Sequence, residues 1–120
     1  MTRLCVDEDT PRELAPSLAR LRPAWDVVFA VDWAGGGIKN QVLLELLWQE
    51  RRALISKDRA TLPDWIKERQ ARGLDHAGVF WWDVERFQPR REVLLGALAR
   101  AIVQSVERRD SLVNVADTIR

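Results

Sequence analysis

The sequence predicts one α/β domain, a three-layer sandwich around a mostly parallel sheet of four to five strands. Three observations carry that expectation. Short apolar runs at residues 3–7, 26–31, 53–56 and 77–82 alternate with longer segments of helical character. The first run passes straight into Asp7-Glu8-Asp9, and the third into Lys57-Asp58. A chain of 120 residues with 47% apolar content suits a single core, expected over residues 3–108 with a short tail at 109–120.

Each element has a local reason. After the first strand, Thr10-Pro11-Arg12-Glu13 has the form of a capping box with proline at the first helical position. Pro16 then predicts a kink or a late helix start, because it lacks a donor. The second strand, Asp26 to Val31, is so continuously apolar that both its faces are expected to be covered. Gly35-Gly36-Gly37 follows as a loop. It lacks the lysine and hydroxyl of a P-loop and the spacing of a dinucleotide fingerprint, so a connector is expected.

The helix from Asn40 to Arg52 carries apolar residues around most of its circumference, which predicts a buried position. Thr61-Leu62-Pro63-Asp64 starts a short polar helix that runs to Arg72 and stops at Gly73. A long apolar helix from Arg91 to Arg108 closes the core, and Leu112 to Val115 offers a small last strand.

Composition narrows the function classes. The formal net charge is +1, so no global field draws nucleic acid or membrane, and such binding has to come from local patches. No apolar run approaches the roughly 20 residues that span a bilayer, and no signal peptide is evident, so a soluble cytoplasmic protein with no membrane partner is expected. Cys5, the single cysteine, has no disulfide partner in the chain and is expected to be an inert core thiol.

In a parallel sheet all strand carboxyl ends share one edge. The acids just past those ends are Asp7, Glu8 and Asp9, then Asp32, Asp58 and Asp83. Hard cations take oxygen ligands, and magnesium keeps several waters beside one or two carboxylates. A cation there would polarise a phosphodiester and activate a water. Asp7 and Asp58 are the leading candidates, with Asp9 third and Glu8 expected to point away. The alternative is ordinary helix capping by Asp9, Thr10 and Asp64, with Asp32 and Asp83 simply exposed.

Across residues 4–106, three pieces stand in a telling order: Leu4-Cys5-Val6-Asp7-Glu8-Asp9-Thr10-Pro11, Leu54-Ile55-Ser56-Lys57-Asp58 and His76-Ala77-Gly78-Val79-Phe80. In these the chain resembles the small PIN-like domain family associated with toxin–antitoxin operons, as a relative of the VapC-type toxins. The resemblance implies a PIN-like fold, a Mg2+- or Mn2+-dependent ribonuclease, an RNA substrate and a cognate antitoxin-like partner. It places the metal on Asp7, Asp9 and Asp58, with Asn40 where the family has an acid opening the central helix. Ala60 stands where a further acid often follows the strand-three aspartate. These departures point to weakened activity or to a degenerate binding module. A phospho-receiver domain shares the length and the acids Asp7, Glu8 and Asp58. It needs a hydroxyl after strand four, where this chain has Trp82-Asp83, and a lysine after strand five, yet no lysine follows Lys67.

Among the remaining residues, Lys57 and Arg59 flank the site as candidate phosphate contacts. Lys39, Arg90 and Arg91 lie nearby, while Lys67 and Arg69 read as a solvated helix face. His76, the only histidine, has no ligand or nucleophile partner and reads as a loop residue. Of six tryptophans, Trp25, Trp48 and Trp81 are expected in the core. Trp33 and Trp65 are expected at a protein interface, such as a homodimer or an antitoxin groove.

Overall fold

The computed structural model describes residues 1–88 and 92–120, so Arg90, Arg91 and the expected start of the last long helix lie outside the described residues. The order is β1 (Arg3–Val6), α1 (Leu14–Leu21), β2 (Asp26–Phe29), α2 (Ala30–Ala34), α3 (Asn40–Glu50), β3 (Ala53–Ser56), α4 (Leu62–Ala71), β4 (Val79–Trp81), α5 (Val84–Phe87), α6 (Glu92–Glu107) and β5 (Ala116–Thr118). All five strands run parallel in the order β2-β1-β3-β4-β5. The fold is the expected three-layer α/β sandwich.

Strand alternation divides the core between two faces. Leu4, Val6, Ala53, Ile55 and Phe80 pack with α1 and α6 through Leu14, Leu18, Leu98 and Ile102. Cys5, Leu54, Val79 and Trp81 point the other way, against Leu43, Leu44 and Leu47 of α3 and Leu62 and Ile66 of α4. The three central strands are therefore covered on both faces. β2, an edge strand, is covered on both faces less completely: Val27 packs on the α1–α6 layer and Val28 on the α3–α4 layer, both only partly buried. Its apolar continuation Ala30-Val31 belongs to α2, which ends at Gly35 with φ of +90°.

Several helices depart from expectation for identifiable reasons. The capping box does not form, because the Thr10 hydroxyl donates to Asp9 and accepts from Trp82 Nε1. α1 shows the late start that Pro16 predicts: it begins at Leu14, which puts Pro16 in the first turn where a missing donor costs no helical bond. α3 buries one stripe rather than its whole circumference, leaving Val42 47% exposed. Trp48 is half-buried beneath the Arg51 guanidinium rather than in the core.

Arg69 is buried, not solvated: it pairs with Glu45 and donates from Nε to the Asp75 carbonyl. Arg52 is buried too. It donates to both Asp26 carboxylate oxygens at 3.0 Å and to Glu50 at 2.9 Å, tying the edge strand to the start of β3.

The last strand lies at Ala116–Thr118, three to four residues beyond the expected one, so the sheet extends into the expected tail. Leu112–Val115 turns instead. Asn114, at φ of +60°, clasps the loop before β4: its N–H donates to the His76 carbonyl, its Oδ1 accepts from His76 N–H, and its Nδ2 donates to Asp75. His76 is a loop residue, as expected, but a fully buried one. Gly78 sits in the same corner at φ of +112°, where a Cβ would meet the Leu112 carbonyl oxygen at 2.6 Å.

That crowding separates two glycines. Gly78→Ala combines an unfavourable φ with a backbone clash and is expected to cost upwards of about 3 kcal/mol. Gly73→Ala, at φ of +72° in open space, faces the conformational term alone, about 1 kcal/mol. Urea denaturation of both variants against the parent checks the order.

Candidate functional site

Strand order reverses between β1 and β3, and in open α/β sheets that is where a ligand crevice opens past the carboxyl ends. Asp7 continues β1 there by donating its N–H to the Ile55 carbonyl at 2.9 Å. Its side chain is 8% exposed. One carboxylate oxygen accepts from Glu8 N–H at 2.8 Å and the other from the Ser56 hydroxyl at 2.8 Å.

Ser56, fully buried at the end of β3, joins the acids. Its Oγ lies 3.2 Å from Asp9 Oδ2 as well and accepts from Asp58 N–H at 3.0 Å. A hydroxyl has one hydrogen to give. Asp7 and Asp9 thus share a single donor, and whichever does not receive it faces an oxygen lone pair. A proton or a cation relieves that deficit.

The electrostatics agree. Burial, and then the neighbouring charge of Asp9, push the Asp7 carboxyl up to about 6. Burial also raises Asp9, against hydrogen bonds from Thr10, the Lys57 amide and Ser56 and the charge of Lys57. Asp58 moves the opposite way. Burial alone would raise it, but the Thr61 hydroxyl at 2.5 Å and the amides of Thr61 and Ala60 at 2.9 and 3.0 Å bring it below the usual range.

Those bonds tie Asp58 into the loop that leads to α4, whose N-cap is Thr61, as the sequence suggests. Thr61 has no capping bond of its own. Its Oγ1 instead accepts from Asn40 Nδ2 at 3.4 Å, so Asn40 reaches Asp58 through Thr61. The four expected ligands therefore fall into two neighbouring groups, Asp7 with Asp9 and Asp58 with Asn40, bridged by Ser56. Among the described residues, no group of three or more His, Cys, Asp or Glu side chains is gathered closely enough to hold a metal.

Of the other candidates, Glu8 does point away and accepts from Gly37 N–H at 3.2 Å. Asp32 lies in α2 and pairs with Arg12, so it does not join the site. Asp83 caps α5 by accepting from Glu85 N–H. Lys57 is exposed beside Asp9, and Arg59 donates to Thr118 at 3.3 Å. Cys5 is buried, its thiol pushed up to about 12 by burial and by Asp7, which leaves it unreactive.

Trp33 and Trp65 are half-buried against the α3–α4 side of the core, and Trp33 Nε1 donates to Glu50. Trp81 is in the core and donates to the Asp58 carbonyl at 2.7 Å. Trp25 packs against the core from a half-buried position.

Sequence reasoning missed Ser56 and Thr61. The available signal was a hydroxyl as the last residue of an otherwise apolar strand, and another three residues beyond an aspartate. Comparison with protein-family models, curated proteins and solved structures finds no match for the chain.

The raised carboxyl fixes a pH dependence. Asp7 holds its proton more tightly folded than unfolded, so its contribution to stability is fully present below pH 3.8 and is lost as pH rises through about 6. Asp7→Asn removes that loss. In EDTA, the variant is expected to be more stable than the parent by about 2–3 kcal/mol at pH 7.5, with the gain vanishing toward pH 4. Urea midpoints across that range check both the sign and the window.

Proposed function

We propose that the chain is a PIN-like ribonuclease, dependent on magnesium or manganese, acting as the toxin of a toxin–antitoxin-like pair with an antitoxin-like partner. The observation that carries this reading is the shared Ser56 hydroxyl between Asp7 and Asp9 at the β1/β3 reversal. Two carboxylates competing for the Ser56 hydrogen fit an ion that asks for one or two carboxylates and completes its shell with water. When bound, the ion would polarise a phosphodiester and lower the pKa of a water.

The chain's own residues divide the remaining work. Asp7 and Asp9 hold the ion and Ser56 fixes their orientation. Asn40 spends its amide on Thr61, which leaves its carbonyl oxygen for a ligand. Lys57 and Arg59 take RNA phosphates without reading sequence. Asp58 reaches the ion only by giving up its bonds to Ala60 and Thr61, so weak activity is expected.

A second reading, a PIN-like interaction module that no longer cleaves, is favoured by one observation. Asp58 is held by three donors in its own loop, and the flanking family acids are here Asn40 and Ala60. A phospho-receiver is disfavoured: Trp82 occupies the place of the hydroxyl and donates to Thr10, and β5 delivers no lysine.

Incubation of single-stranded RNA with the protein and Mn2+ or Mg2+ decides between the first two. Metal-dependent cleavage is expected, lost in Asp7→Asn and Asp9→Asn and reduced to a lesser degree in Asp58→Asn. No cleavage by folded parent protein transfers the assignment to the interaction module.

A further inference from the structure

At the opposite, amino-terminal edge of the sheet lies a second concave surface, a pocket of about 310 Å³. Its apolar part comes from Val106 of α6 and from Leu112 and Val113 of the turn before β5; its rim carries Arg3, Arg51 and Arg109. The charge of this rim is lopsided. Arg109 pairs with Asp117, and Asp110 is the acid within the lining. Arg3 and Arg51 donate instead to main-chain carbonyls, of Glu50 and Trp48, and form no ion pair among the described residues.

Arg51 is held in place by its surroundings. It ends α3 in the left-handed region at φ of 56°, where glycine or asparagine is the ordinary choice. Its guanidinium stacks on Trp48 at 3.6 Å, which fixes the planar fork. Stacked guanidinium is a preorganised receptor for carboxylate, because the fork offers paired N–H donors with little rotamer entropy left to lose.

We propose that this amino-edge pocket docks an acidic peptide segment of a partner protein, with carboxylates on Arg3 and Arg51 and an apolar side chain on Val106, Leu112 and Val113. Nucleic acid is the poorer match. A polyphosphate needs a run of cations, whereas this pocket has two guanidiniums outside any ion pair beside an apolar floor, on a chain of net charge +1. The surface lies across the sheet from Asp7, so an occupant leaves the carboxyl-edge site open.

Fluorescence anisotropy with an end-labelled Glu-Glu-Leu-Leu-Glu-Glu peptide tests this, with Lys-Lys-Leu-Leu-Lys-Lys and a twelve-nucleotide RNA as comparison probes. The acidic peptide is expected to bind, and the lysine peptide is not. Arg3→Gln with Arg51→Gln should weaken binding at least tenfold, the loss of roughly one charge-assisted bond. Val113→Glu, at a site 43% exposed, should weaken it without loss of fold, and Asp7→Asn should leave it unchanged. The proposal is overturned by absence of peptide binding, by equal binding of the lysine peptide, by indifference to both the arginine and Val113 variants, or by RNA competing for the same surface.

Discussion

One buried hydroxyl organises the carboxyl edge of this protein. Ser56 ends β3 where β1 and β3 pair in parallel, and its oxygen contacts Asp7, Asp9 and the amide of Asp58. The contact depends on register: with Val6 opposite Ile55, Asp7 emerges beside Ser56. A slip by one residue would turn the alternate side chains to the other face and dismantle both core layers with the site. Fold and site therefore rest on the same pairing.

The site also works against the fold. A carboxylate that is 8% exposed and shares its donor is unfavourable in its charged form near neutral pH. Such groups cluster at functional sites, where a bound ligand can relieve them. Arg52 offers the contrast. It is equally buried, yet two carboxylates and two carbonyls surround its guanidinium, so its charge is satisfied within the chain. Similar burial marks a structural group in one case and a candidate site in the other, and the difference is that Arg52 faces opposite charges while Asp7 faces a second acid, Asp9.

The fold was largely legible in the sequence because its central strands are short apolar runs with clear ends. Ala53–Ser56 matches the expected strand without change. What failed to show were features set by tertiary contact. Trp82 takes the Thr10 hydroxyl and so abolishes a capping box that is correct as local chemistry. Glu45 and the Asp75 carbonyl pull Arg69 out of solvent. Asn114 and the His76 loop move the last strand toward the C-terminus. At the site, Asp7 and Asp9 were readable from their place after a strand. The division of labour with Asp58 was not, since only the folded loop reveals that Thr61, Ala60 and Ser56 bind that residue from three sides.

Calorimetric titration of Mn2+ into the metal-free protein, repeated on Asp7→Asn, Asp9→Asn and Ser56→Ala, tests whether the two carboxylates and the hydroxyl between them hold an ion. One saturable site is expected in the parent, abolished when either carboxylate is neutralised and weakened when the hydroxyl that aligns them is removed. Binding that persists unchanged in all three variants, or a folded parent that takes up no ion, would contradict that expectation.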